Sequence, residues 1–289
     1  MSSFEVFLNS FDYENNKGKQ FEHFVKWFLE NDPEWSTQID EVWLWDDYPG
    51  RWGADNGVDL VFRDKNGEIW AVQAKCYSPK YSIKKADVDK FLSESNRKII
   101  DKRLLIATTD HIGKNAREVC KAQEKSVILH LYSNFDKAAI DYPSNFSKLN
   151  TAKRKEQPSP DPHQDEAIKA VINGFKTAER GQMIMACGTG KTYTTLWIKE
   201  ALNAKTSLVL LPSLGLVSQT LLEWTHASNT PFEVLCVCSD ETVGKRRDED
   251  TIISSTQDVA FPTTTSQVDI QKFLNKDVNK VIFSTYHSS

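Results

Sequence analysis

The segment Ala186-Cys-Gly-Thr-Gly-Lys-Thr192 decides how the chain is read. Gly188 and Gly190 let successive backbone N–H groups turn inward around an anion. Thr189 between them lends its backbone to the same cradle, at the start of a helix whose dipole favours negative charge. Lys191 is placed to reach the β- and γ-phosphates of a nucleotide, and the Thr192 hydroxyl to bind Mg²⁺. Met185 stands where the longer G-x-x-x-x-G-K-T pattern has its first glycine. A strand at Gln182–Ala186 is predicted to enter the loop, and a helix from Lys191 to leave it.

Downstream, apolar runs alternate with helical periodicity. A strand at Ser207–Leu211 precedes a helix at Leu214–His226, and a strand at Glu233–Cys238 follows. A helix at Val268–Asn275 then leads to a strand at Lys280–Ser284. Strands alternating with helices predict a parallel, doubly wound sheet. Upstream, Thr151-Ala-Lys-Arg-Lys-Glu-Gln-Pro-Ser-Pro-Asp-Pro162 carries three prolines and almost no apolar residue, which reads as a linker. The predicted organisation is a domain over 1–150, a linker over 151–162 and a second domain over 163–289.

In the first domain Phe21, Phe24, Val25, Phe28 and Leu29 fall on one helical face, in a helix ending near Asn31-Asp-Pro33. Strands at Gly57–Arg63 and Ile69–Ala74 flank Asp64-Lys65-Asn66-Gly67, a hairpin turn. A helix at Ala86–Ser95, a strand at Arg103–Thr108, a helix at Asn115–Gln123 and a strand at Ser126–Leu131 complete an α/β unit.

The chemistry-bearing residues of this half are Asp59, at a strand end, and Gln73-Ala-Lys75 on the next strand. Hydrolysing a phosphodiester requires a metal ion held by oxygen ligands to activate water, and a cation to stabilise charge developing on the phosphate. Asp59 and Gln73 can share one metal, helped by the Ala74 carbonyl. Side chains alternate along a strand, so Gln73 and Lys75 project to one face. Glu22 on the upstream helix is a further candidate, and Asp55 is the rival acid. Lys80, Lys84 and Lys85 are candidates for phosphate contacts. The aromatic group Trp43, Trp45, Tyr48 and Trp52 reads first as packing around a loop, with base stacking as the alternative.

Charge is distributed unevenly. Residues 1–74 hold 6 Lys/Arg against 15 Asp/Glu, and residues 75–125 hold 13 against 7. The whole chain carries −4, with 39% hydrophobic and 26% charged residues over 289 positions. These values describe an ordinary globular chain of about two domains. Five cysteines, odd in number and without a C-x-x-C pair, argue against a zinc site or disulfide framework. No signal peptide and no membrane-length apolar run is evident, so a cytoplasmic, bacterial protein is expected.

Several motifs carry a family likeness. His163-Gln164 resembles the adenine-reading glutamine motif of superfamily 2 helicases. Leu208-Val-Leu-Leu-Pro-Ser-Leu-Gly-Leu-Val-Ser-Gln-Thr220 resembles their motif Ia, and Val281-Ile-Phe-Ser-Thr-Tyr286 their motif Ib. The D…Q-x-K pattern resembles the Mrr-like branch of the PD-(D/E)xK nucleases. In order along the chain, the two halves resemble the N-terminal part of the type ISP restriction–modification enzymes. That resemblance implies a PD-(D/E)xK nuclease fold followed by part of a RecA-like P-loop domain. It also implies a nucleotide site at Gln164, Gly188, Thr189, Gly190, Lys191 and Thr192, with Mg²⁺ at Thr192 and at Asp59 and Gln73. Implied partners are ATP, double-stranded DNA, downstream domains of the same polypeptide and a second copy met on DNA. S-adenosylmethionine would enter only through a methyltransferase outside these residues. No D-E-x-H sequence follows Tyr286, so the expectation is a segment of a longer enzyme, ending before Walker B and hydrolysing ATP negligibly alone. A repair or defence helicase–nuclease without methyltransferase, and an inactive DNA-binding module, fit the same residues.

Overall fold

The computed structural model describes residues 2–12, 16–53, 57–239, 259, 261–286 and 288. Two compact units are present, residues 1–155 with 257–262, and residues 156–256 with 263–289.

The first unit opens with helices α1 (Ser3–Asn9) and α2 (Lys17–Asn31). Strands β1 (Ile39–Leu44), β2 (Leu60–Asp64) and β3 (Ile69–Lys75) follow. Next come α3 (Lys85–Glu94), β4 (Lys102–Ala107), α4 (Lys114–Lys121), β5 (Val127–His130) and α5 (Tyr132–Lys137). The sheet order is β1-β2-β3-β4-β5. β1, β2 and β3 are antiparallel neighbours, while β3, β4 and β5 run parallel.

Both faces of this sheet are covered, as side-chain alternation requires of strands this apolar. On one face Val61, Ala71, Leu105 and Leu129 join Val88 and Phe91 of α3 and Ala116 of α4 in one core cluster. On the other, Phe62 stacks on Trp70 at 4.9 Å between ring centroids, Trp35 meets both edge-on, and His130 packs against Phe28 of α2. The five α2 residues singled out by periodicity are all fully buried. At the β2–β3 turn, Asp64 Oδ1 accepts from the Asn66 and Glu68 N–H groups, and Gly67 takes φ +84°.

The proposed linker is partly structured. Strand β7 (Lys153–Arg154) pairs antiparallel with β6 (Ile140–Asp141), so its first residues continue the first unit. Its last residues start helix α6 (Pro162–Gly174), with Asp161 at the N-cap and Pro162 in the first turn, where proline's missing N–H costs nothing.

The second unit continues with α7 (Lys191–Ala201), β8 (Thr206–Leu211), α8 (Leu214–Ala227), β9 (Glu233–Val237), α9 (Gln267–Leu274) and β10 (Lys280–Thr285). The three strands form a parallel sheet in the order β8-β10-β9. The strand expected at Gln182–Ala186 does not form. These residues join no ladder, and Ile184 is 91% exposed. Extended backbone becomes a strand only when a neighbour supplies hydrogen bonds, and none of the three described strands pairs there. The strand-before-loop context predicted from the sequence is therefore corrected: an unpaired segment enters the loop. Among the described residues no helix is long and apolar enough to cross a membrane.

Candidate nuclease and nucleotide sites

β2 and β3 bring the first site together. The Asp59 N–H donates to the Val72 carbonyl, and Asp59 Oδ2 accepts from the Ala74 N–H at 2.7 Å, fixing the carboxylate against β3. Cα pairing of Leu60 with Val72 and Val61 with Ala71 extends to place Asp59 opposite Gln73. Both are buried, at 9% and 1% exposure. Gln73 Nε2 donates to the Gly57 carbonyl at 3.1 Å, while Gln73 Oε1 is buried with no hydrogen-bond partner among the described residues. Gly57, at φ +96°, lies against Gln73 and the backbone of Phe91 on α3. Lys75, two residues beyond Gln73 on the same face, is half-buried.

A buried amide oxygen with no partner, beside a carboxylate, fits a hard cation as the group that would satisfy it, since an unpaired buried acceptor is costly. Oxygen donors from a carboxylate, an amide and a backbone carbonyl suit Mg²⁺ or Mn²⁺. Among the described residues no three His, Cys, Asp or Glu side chains cluster as a metal site. Asp55, the rival acid, lies outside the described residues.

Glu22 is placed differently. α2 packs on the sheet face opposite to Gln73 and Lys75, and the Glu22 carboxylate pairs with Lys19 at 2.9 Å. The start of α2 does lie at the same end of the sheet, since Lys17 hydrogen-bonds the Cys76 thiol. Burial pushes that thiol up to about 11 against the pull of Lys17 and Thr108. Glu22 approaches the pair only around the end of the sheet.

No motif or spacing points to the strap after β3. Thr108 Oγ1 donates to the Tyr77 carbonyl, and Thr109 Oγ1 to the Pro79 and Tyr81 carbonyls. Tyr77 and Tyr81 rings lie 4.3 Å apart, and the Tyr81 hydroxyl donates to Asp87. Burial, then the charges of Asp87 and Asp59 and the neighbouring Tyr81, push the Tyr77 phenol up to about 12. Lys80, Lys84 and Lys85 are exposed around this strap, with Lys85 paired to Asp89. Of the aromatic group, Trp45 is 3% exposed and meets Trp52 edge-on at 4.5 Å. Trp43, Tyr48 and Trp52 pack partly buried on the same core.

In the second unit, Gly188 at φ +78° and Gly190 at φ +72° take the left-handed turns that shape an anion cradle before α7. Lys191 Nζ donates to the Met185 and Ala186 carbonyls at 3.2 and 2.9 Å, so the lysine closes the loop on itself. The Thr189 hydroxyl donates to the Ala186 carbonyl, and the Trp224 indole N–H of α8 to the Thr192 carbonyl. Gln164 was expected at the adenine. Its Oε1 accepts from the Asp161 N–H at 2.8 Å, and its Nε2 donates to the Thr189 carbonyl at 3.1 Å.

Comparison with known proteins agrees with this division. Residues 30–152 match a family described as "Restriction endonuclease", and residues 157–289 one described as "Type III restriction enzyme, res subunit". The first match contains Asp59, Gln73 and Lys75 but begins after Glu22. Over 100% of its length the chain is similar to the ATP-dependent Type ISP restriction-modification enzyme LlaBIII in a structure bound to DNA, with 30% identity and a TM-score of 0.84. It covers 18% of that chain. A nuclease-deletion mutant of the Type ISP enzyme LlaGI, in complex with a DNA substrate mimic, is 32% identical over 45% of this chain and 13% of its own, with a TM-score of 0.36. No curated protein matches the chain.

Proposed function

We propose, for a chain that joins a restriction-endonuclease domain to a helicase-like ATPase domain on the plan of the type ISP restriction–modification enzymes, that it cuts double-stranded DNA in a metal-dependent reaction driven by an ATP-fuelled motor. The observation that carries this reading is the buried pair of Asp59 and Gln73, with its unpartnered amide oxygen, in the same polypeptide as a phosphate-binding loop.

Asp59, Gln73 Oε1 and the Ala74 carbonyl would hold the metal, with Glu22 as a further ligand if it swings from Lys19. When bound, Mg²⁺ supplies Lewis acidity and a water of lowered pKa. The Lys75 ammonium stabilises charge on the scissile phosphate. The exposed Lys80 and Lys84 position the DNA backbone without reading sequence. In the second unit the N–H groups around Gly188, Thr189 and Gly190 cradle the phosphates of ATP. Lys191 leaves the Met185 and Ala186 carbonyls to neutralise them, and Thr192 holds the accompanying Mg²⁺.

Because the chain spans 18% of LlaBIII, methylation with S-adenosylmethionine and target recognition are assigned to other parts of the polypeptide. Translocation along duplex DNA and the meeting of two copies before nicking complete the proposal. The test is plasmid cleavage by the intact protein with Mg²⁺ and ATP. Cleavage that survives chelation of divalent metal, or no cleavage of any DNA carrying unmodified sites, would overturn the reading.

A further inference from the structure

We infer that Lys90 on α3 is a further DNA-binding residue of the nuclease site, holding a backbone phosphate next to the scissile one. The inference rests on the nuclease reading of Asp59 and Gln73 and adds a cation from a second element, outside the D…Q-x-K pattern. The approach is made across Gly57. A Cβ built at Gly57 would stand 3.5 Å from Gln73 Nε2 and 3.5 Å from Lys90 Cγ. Two atoms that share one such point are at most twice that distance apart, so the Lys90 stem and the Gln73 amide are neighbours, separated by a backbone without a side chain. Gln73 alternates with Ala71, which packs in the α3 cluster, so it faces the helix that carries Lys90.

Carboxylates within helical reach of Lys90 are engaged elsewhere. Asp87 stands three residues before it and Glu94 four after, the spacings at which a helix pairs opposite charges. Asp87 accepts from the Tyr81 hydroxyl and the Lys84 N–H, and Glu94 pairs with Arg97. Lys85 on the same helix does pair, with Asp89. Lys90 is exposed and joins no ion pair among the described residues. Its stem lies against Gly57 while the ammonium, three bonds beyond Cγ, stays in water. A cation held beside a phosphodiester-cutting site without a carboxylate of its own has the DNA backbone as its counter-charge. Lys75 comes from β3 and meets the scissile phosphate. Lys90 comes from α3 and meets an adjoining one.

Plasmid nicking by the intact protein with Mg²⁺ and ATP tests this, for wild type, Lys90→Met, Lys90→Arg and a charge control, Lys137→Met. Lys137 is exposed on α5, whose Phe135 packs against α2 on the other side of the sheet. Methionine keeps the stem on Gly57 and removes the charge, whereas arginine keeps the charge. We expect Lys90→Met to nick about tenfold more slowly, the loss of one charged contact. The deficit should shrink as salt rises, because the phosphate contact present only in wild type is itself weakened by salt. Lys90→Arg and Lys137→Met should nick at the wild-type rate, and DNA-stimulated ATP hydrolysis should be unchanged in all three. Wild-type nicking by Lys90→Met overturns the inference. So does an equal loss in Lys90→Arg, which makes stem packing the cause, or in Lys137→Met, which makes it a general effect of charge. A higher metal concentration for half-maximal nicking by Lys90→Met would make Lys90 a support for Gln73 and overturn it as well. A wild type that nicks no DNA, or nicks after divalent metal is chelated, sinks the nuclease reading itself.

Discussion

On the proposed reading single side chains carry the chemistry in both units, and their surroundings say what each substitution should do. Asp59 is pinned by the Ala74 N–H and faces an amide oxygen with no partner. Asp59→Ala should lower DNA cleavage by the intact protein on the order of 10³-fold, and Lys75→Ala by on the order of 10²-fold or more. DNA-stimulated ATPase should stay near wild type in both, because neither residue belongs to the unit that holds the phosphate loop. Wild-type cleavage by Asp59→Ala would remove the pair from the mechanism. Glu22→Gln sorts out the looser assignment. If Glu22 serves only Lys19, an exposed pair worth a few tenths of a kcal/mol, cleavage is unchanged at saturating metal. If it reaches the cation around the end of the sheet, the metal concentration for half-maximal cleavage rises.

At the scale of elements, one buried arginine ties three of them together. Arg103 on β4 is fully buried, and among the described residues its hydrogen bonds go to no carboxylate. Its Nε donates to Ser95 Oγ at 2.7 Å, and its terminal nitrogens to the Leu92 carbonyl, Asn96, Gln123 and the Lys125 carbonyl. These acceptors cap the end of α3 and the stretch between α4 and β5. A guanidinium has five donors in a fixed fork, so it can meet several acceptors that no apolar side chain can. Arg103→Met should therefore destabilise the first unit by on the order of 3 kcal/mol, since buried acceptors are left unmet. Chemical denaturation followed by tryptophan fluorescence reads this directly. A loss below about 0.5 kcal/mol would show the acceptors to be satisfied by water.

For the whole molecule, buried titratable groups in the first unit predict how stability follows pH. Burial pushes Asp32 up to about 6 from its usual value, against hydrogen bonds from Trp35 and Glu34 and the charge of Arg154. A raised carboxylate favours the folded state fully below its unfolded pKa, and that contribution is lost as pH rises through 6. At pH 7.5 the buried charge thus costs on the order of 3 kcal/mol relative to pH 4. Burial pushes His130 the other way, down to about 3. It favours folding above its ordinary value near 6.5, and this is lost as pH falls toward 3. Asp32→Asn keeps the oxygen that accepts from Glu34 and Trp35 while removing the charge. It should raise the melting temperature at pH 7.5, with the gain shrinking toward pH 5. An equal gain at both pH values would mean that the carboxylate is not the cause. The two activities should separate in one direction only: Lys191→Ala should abolish ATP hydrolysis and, with it, motor-driven cleavage. Full cleavage by that variant would uncouple the nuclease from the phosphate loop.

Local chemistry made much of this molecule legible. The apolar face of α2, the Asp64–Gly67 turn, the alternation along β3 and the glycines before α7 follow from spacing and backbone freedom within a few residues, and each stands where spacing put it. The D…Q-x-K pattern likewise placed Gln73 and Lys75 on one face, because alternation along a strand is a local rule. Other features were decided by contacts distant in sequence. The extended segment 182–186 has strand-like residues but no neighbour to pair with, and pairing is a property of two segments. The face from which Glu22 approaches depends on which side of the sheet α2 packs. Gln164 stands before the loop in sequence, but only folding brings α6 against Thr189 and Gly190 some 25 residues away.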